Sequence, residues 1–238
     1  MARRGTEPPA PLPTGAEKTA RVRAMFDTIA PRYDLINRLM TFGLDQSWRR
    51  GTVDALALPS GSLVLDLACG TGDLSRLALR RGYRVVGADL SAGMLKANGA
   101  ATPLAEADGS DLPFLDGSFD GLVCGYALRN FTDLAGTFAE AARVLRPGGR
   151  LAVLEVDTPS APLWRAGYDL WFTKAVPVLG AALSDKDAYS YLPQSVAYLP
   201  PTPVLRAMVR EAGFSAVGIR PLAGGLSQMV VATRTGAP

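Results

Sequence analysis

A chain of 238 residues, 48% hydrophobic and with a net charge of +3, is long enough for one sizeable core and too weakly charged for a nucleic-acid surface; its basic excess is mostly arginine and scattered. Two cysteines, Cys69 and Cys124, make no disulfide framework and fall in or beside apparent core strands, so they read as reduced thiols of a cytoplasmic protein. The start "MARRGTEPPAPLPTG" has prolines where a signal peptide needs an apolar stretch, which argues against export.

In chain order, residues 1–16 are expected to be a disordered tail. A single domain is expected over 17–238, with helical cover elements at 17–58 and 158–203. Residues 17–58 look helical: Val22, Met25, Phe26 and Ile29 are spaced for one apolar face before Pro31 interrupts. In "RYDLIN", with Tyr33, Asp34 and Asn37, helical spacing puts Tyr33 and Asn37 on one face, either lining a pocket roof or, for Tyr33, burying its ring in the core. Asp45 and Trp48 continue that face if the helix survives Gly43. From residue 62 short apolar runs alternate with helical stretches: "LVLDLA" 63–68, "DLSRLALRRG" 73–82, "RVVGADL" 84–90, "SAGMLKANGA" 91–100, "FDGLVCGYAL" 119–128, "LAGTFAEAARVLRPGG" 134–149 and "LAVLEV" 151–156. Strand and helix in alternation predict an α/β fold, a doubly wound, mostly parallel sheet. The alternation lapses over 158–203 and resumes with "VLRAMVREAGF" and the strand pair "AVGIRPL" and "QMVVATR". The most apolar segment, 161–183, is broken by Arg165, Asp169, Lys174 and Pro177 and cannot cross a bilayer. Contact with a membrane surface stays open.

Ligands of such sheets bind beyond the carboxyl ends of the strands where strand order reverses. "LVLDLACGTGD" is the first strand-to-helix turn. Asp66 closes its strand, and Gly70 and Gly72 let the backbone approach a ligand, or simply make a tight turn. Asp89, 17 residues after Gly72, ends the next strand with an acceptor suited to a ribose diol or to capping a helix. Asp108, beside Gly109, is a third acidic strand end. A dinucleotide would need a third glycine where Ser75 stands, and Asp73 would face its phosphate. A nucleoside with a cationic amino-acid tail suits three carboxylates better, and S-adenosyl-L-methionine is such a cofactor. No metal is expected.

These residues carry a resemblance. "VLDLACGTGDLS", "VVGADLS", "ADGSDLPFLDGSFD" and "RVLRPGGRLAVLE" resemble the motifs of class I methyltransferases that use S-adenosyl-L-methionine on a Rossmann-like seven-stranded sheet. "RYDLINRLMTFGLDQSWRR", "ALRNFTD", "RVLRPGGRLAVLEVDTP" and "AYSYLPQSV" are similar to the menaquinone and ubiquinone C-methyltransferase family, demethylmenaquinone methyltransferases in particular. The resemblance implies that Thr71, after Gly70, contacts the methionine moiety, Asp89 the ribose, and Asp108 with Gly109 the adenine. Gly125 falls where relatives often carry serine or asparagine, so it would contribute backbone alone. Other departures are Asp45 in place of histidine, "EVDTP", and Ala68 for the first glycine of the loop.

The implied acceptor is a quinol bearing an isoprenoid tail, demethylmenaquinol ahead of a ubiquinol precursor. The alternatives are a soluble phenol or polyketide, or a scaffold without activity. Methylation of a ring carbon needs the neighbouring hydroxyl ionised, and a phenol holds its proton to a pKa of about 10. The chain contains no histidine to take that proton. Arg129 is expected to hold the phenolate charge, or else to anchor its loop in an ion pair, and Asn130 and Tyr33 are expected beside it. Tyr126, Tyr189 and Tyr191 are reserves for the proton. Trp164, Trp171, Phe172 and the apolar residues to Leu183 form either a tail channel or a helical core. Homodimerisation is left open.

Overall fold

The computed structural model describes residues 13–41, 43–157, 159 and 194–236. Three helices come first, α1 Gly15–Ile29, α2 Tyr33–Met40 and α3 Asp45–Asp54. α1 begins at Gly15, inside the tail expected from sequence, and a single 3-10 turn containing Pro31 separates it from α2. Gly43, at φ 75°, ends the run before α3, so the face shared by Tyr33 and Asn37 does not continue into Asp45.

The sheet follows: β1 Leu63–Leu67, α4 Asp73–Arg80, β2 Arg84–Asp89, α5 Ala92–Ala97, β3 Leu104–Glu106, β4 Phe119–Gly125, α6 Leu134–Val144 and β5 Leu145–Val156. It is completed by α7 Thr202–Glu211, β6 Phe214–Leu222 and β7 Ser227–Arg234. Helix α6 is five residues shorter than its pattern suggests. Leu145 already has extended backbone, and Gly148 at φ 78° turns the chain into the strand register with Arg150 opposite Gly121. The strand order is β3-β2-β1-β4-β5-β7-β6. All neighbouring pairs are parallel except those of β7, which runs antiparallel between β5 and β6.

Burial on both faces explains the near-continuous apolar strands. Along β4, Leu122 and Cys124 face one core while Val123 faces the other; along β5, Leu151 and Val153 alternate in the same way with Ala152. One core packs α6 and α7 through Phe138, Leu205 and Val209, and the other packs α3 and α4 through Val53, Leu56, Leu74 and Leu77. Strand order reverses between β1 and β4, so the loops that leave these two strands diverge and open a crevice at their carboxyl ends.

Candidate cofactor and active site

The crevice is a cavity of about 890 Å³ including its mouth, floored by the loops after β1, β2, β3 and β4 and walled by α1. From α1 come Thr19, Val22, Arg23 and Phe26; from the strand ends come Gly70, Thr71, Asp89, Asp108, Gly109 and Gly125; and Tyr33, Arg49, Tyr126, Asn130 and Phe131 also line it. Two of its backbone positions are unusual. Ala68 (φ 54°) and Tyr126 (φ 61°) hold left-handed backbone that costs a side-chain-bearing residue about 1 kcal/mol, and they sit at the two loops flanking the switch point. At Ala68 the expected glycine would have avoided that cost.

Asp89 Oδ2 accepts the Gly70 amide and Oδ1 the Ser91 amide, both at 2.8 Å. Each oxygen keeps a lone pair for a further donor such as a ribose hydroxyl. Burial pushes the Asp89 carboxyl above its usual range, against the pull of those amides. Asp108 Oδ1 accepts the Ser110 amide and hydroxyl at 2.9 and 2.8 Å, and Oδ2 makes no hydrogen bond with the described residues. A Cβ on Gly109 would collide with the Phe131 ring at 2.7 Å, so the bare glycine lets that aromatic ring pack directly on the backbone beside Asp108, and both residues line the cavity. Thr71 donates its hydroxyl to Asp34 Oδ1 at 2.5 Å, tying the loop to α2. These features fit a nucleoside: acceptors at two strand ends, an aromatic ring lining the cavity beside one of them, and backbone approach at Gly70.

Several residues read from the sequence lie elsewhere. Asp66 does not line the cavity. It is fully buried beneath the loop, where Oδ2 accepts the Ser75 hydroxyl at 2.6 Å and burial pushes its carboxyl up to about 7. Gly72 is also outside: at φ 89° it caps α4, and a Cβ there would collide with Asn98 Oδ1 at 2.5 Å. Asn98 holds the loop from the other side, donating to the Gly70 carbonyl at 2.9 Å. Asp73, read from the sequence as an argument against a phosphate, does line the cavity, and its carboxylate is shared among Arg76, Arg49 and Arg38.

Arg129, expected to meet the phenolate, is not among the lining residues. Glu155, fully buried on β5, draws its guanidinium back into an ion pair. Arg129 also donates to the Tyr126 carbonyl at 2.8 Å and to Ser195 Oγ at 3.1 Å. It therefore braces the strained turn at Tyr126 from behind. Tyr33 and Asn130 do reach the cavity, Tyr33 with its ring edge-on to Phe26 at 5.8 Å. Tyr126 lines it as well, but burial holds its phenol above the usual range. Tyr189, Tyr191, Trp164, Trp171, Phe172 and Leu183 lie outside the described residues.

Arg49, like Arg23 and Phe131, is a cavity residue that the sequence reading passed over. Its side chain is 6% exposed, 3.3 Å from Asp45 and 3.7 Å from Asp73, and its guanidinium stands 5.1 Å from the Tyr126 ring centre. Burial acts to drive off its charge, but Tyr33, Asp73, Tyr126 and Asp45 outweigh that and raise its pKa. The signal for it was the Asp45 and Arg49 spacing of four on a helix. Cys69 and Cys124 are free and buried.

The comparisons with known proteins follow the same lines. Residues 14–236 match the model of the ubiE/COQ5 methyltransferase family. A demethylmenaquinone methyltransferase of Thermus thermophilus is 44% identical, covering 80% of this chain and 91% of its own. A ubiquinone/menaquinone biosynthesis C-methyltransferase UbiE of a Geobacter strain is 37% identical, covering 92% and 98%. Among solved structures, the [4+2]-cyclase SpnF superposes with a TM-score of 0.68 at 17% identity, covering 95% and 99% of the two chains. A possible histamine N-methyltransferase of Thermotoga maritima gives 0.63 at 20%, covering 90% and 100%. At such identities these structures speak for the Rossmann-like methyltransferase fold alone.

Proposed function

The chain belongs to the ubiE/COQ5 methyltransferase family, and on that footing we propose that it methylates a ring carbon of a quinol in quinone biosynthesis, using S-adenosyl-L-methionine. The observation that carries this reading is the match, over most of both chains, to relatives named for that activity. Demethylmenaquinol is the proposed acceptor, because the most similar curated relatives include several demethylmenaquinone methyltransferases at 39 to 44% identity.

Asp89 would hold the ribose, Asp108 with Gly109 the adenine, and Gly70 with Thr71 the amino-acid end. When bound, the cofactor supplies an electrophilic methyl carbon. The chain's own part is placement, which in well-oriented reactions is worth roughly 7–11 kcal/mol. The acceptor ring would lie against Gly125 and Tyr126, with Tyr33 and Asn130 turned to its hydroxyl; that hydroxyl gives its proton to water, directly or relayed through the Tyr33 hydroxyl, the ring carbon takes the methyl group, the proton this carbon then loses as the ring regains aromaticity also leaves to water, and the phenolate oxygen recovers one proton, so that a single proton is released overall. Arg129 acts in this scheme as a positioning residue, holding the Tyr126 turn and Ser195. α1 excludes water from above. No helix among the described residues is long and apolar enough to cross a membrane.

The test is incubation with methyl-labelled cofactor and a short-tailed demethylmenaquinol, with products read by mass spectrometry. A methylated naphthoquinol is expected. Label appearing only in soluble phenols would overturn the assignment.

A further inference from the structure

S-adenosyl-L-methionine carries one charge that acidic strand ends repel, the α-carboxylate of its amino-acid tail. We propose that Arg49 receives this carboxylate through the two terminal nitrogens of its guanidinium, an inference that rests on the cofactor reading above.

Among the described residues lining the cavity, the cationic side chains are those of Arg23 and Arg49. Arg23 is at the rim, 45% exposed and ion-paired with Glu106 at the end of β3, two residues before Asp108. Arg49 is buried, lines the cavity together with Gly70 and Thr71, and brings NH1 up against Gly125. Its partners are arranged to leave the fork open. Asp45 Oδ2 (3.3 Å) and Asp73 Oδ2 (3.7 Å) both approach Nε, and NH1 and NH2 make no hydrogen bond with the described residues. Asp45 is itself fixed by the Thr41 hydroxyl at 2.9 Å and the Gln46 amide at 3.1 Å, so the Arg49 head is set before any ligand arrives. A planar guanidinium with its terminal donors unpaired matches a carboxylate in bidentate geometry.

Gly125 completes the argument. A Cβ there would lie 3.5 Å from Arg49 NH1 and 2.9 Å from Leu74 Cδ1, so a bare glycine keeps open the space in front of the fork. The residue that looked like a lost side-chain contact in the sequence becomes the clearance for a carboxylate.

Calorimetric titration of the wild-type chain, Arg49→Gln and Arg49→Lys with two ligands tests this: S-adenosyl-L-homocysteine, and S-adenosyl-3-thiopropylamine, which lacks only the carboxylate. The wild type should prefer the first by about 10- to 100-fold, the range of a charge-assisted contact, and Arg49→Gln should shrink that preference to about threefold or less while binding the amine nearly as well as wild type. Arg49→Lys, with a charge but no fork, should fall between. An undiminished preference in either variant, or equal loss for both ligands, overturns the proposal. Should Arg49→Gln fail to fold, the lysine variant decides alone: a preference reduced by about threefold or more supports the assignment, and a smaller change overturns it. A wild type that binds neither ligand overturns the cofactor reading and this inference together, which distinguishes the two failures.

Discussion

Arg129 and Glu155 show how a residue's surroundings determine its chemistry. Both are buried, at 5% and 0% exposure, and each satisfies the other's charge. Removing one partner from such a pair costs about 3–5 kcal/mol, whereas replacing both with apolar residues is often close to neutral. Urea denaturation should therefore find Arg129→Ala destabilised on that scale and the double variant Arg129→Met with Glu155→Leu largely restored; a loss below about 1 kcal/mol in the single variant would contradict the bracing role. Asp66 supplies a second residue-level expectation. Burial raises its folded pKa to about 7 from the ordinary 3.8 of an exposed aspartate. Between those values the folded chain holds a proton that the unfolded chain has lost, so this group's contribution is fully present below 3.8 and is lost as pH rises to about 7. The wild type should lose stability relative to Asp66→Asn with a slope of at most about 1.4 kcal/mol per pH unit in that window, followed by thermal melts from pH 4 to 8. Parallel curves for the two proteins would refute it.

Among the elements, α1 is the one whose attachment matters most to the site. It is tied to the sheet body by polar contacts along its length: Lys18 Nζ to the Phe131 carbonyl at 2.7 Å, Thr19 to Thr132 at 2.8 Å, Arg23 to Glu106, and Asp27 to Ser91 Oγ and the Gly93 amide at 2.5 and 2.8 Å. The Asp27 contact caps α5 from a different helix. Ser91 accepts the Met94 amide as the conventional N-cap, and Asp27 holds Ser91. A carboxylate at a helix N-terminus is stabilised there, and the Ser91 hydroxyl holds Asp27 below its usual pKa. Asp27→Ala should cost about 1 kcal/mol locally and speed amide hydrogen exchange in α1 and α5 while β1 and β4 stay protected. Unchanged exchange in α1 would show that its apolar face, through Val22 and Ile29, holds it without the latch.

For the whole molecule, the antiparallel strand β7 is what closes the sheet. It pairs with β5 over seven register positions, Arg150 to Val156, and buries Met229 and Val230 against the cores. Without it β5 would be an exposed apolar edge carrying Leu151, Val153 and Leu154, a template for association. A chain truncated after Gly213 should lose cooperative unfolding and aggregate, checked by calorimetry and light scattering; a monomeric, cooperatively melting product would mean that the first five strands suffice as a folding unit.

The alternation of strands and helices, the acidic ends at Asp89 and Asp108, the Gly70 loop and the family itself were legible in the residues, because each depends on local periodicity or on a contiguous motif. The placement of Tyr33 and Asn130 at the cavity also followed from a short pattern together with the resemblance. What the sequence did not contain was the partnership of residues far apart in it. Glu155 takes the Arg129 charge from 26 positions away, Asp34 reaches Thr71 across 37, and Phe131 packs on the bare Gly109. A charged group can meet a ligand only where the fold leaves some of its donors or acceptors facing the cavity, and that is decided by which elements lie side by side. That is why Arg129 and Asp66, conspicuous in sequence, lie behind the site while Arg49, which drew no notice there, stands within it.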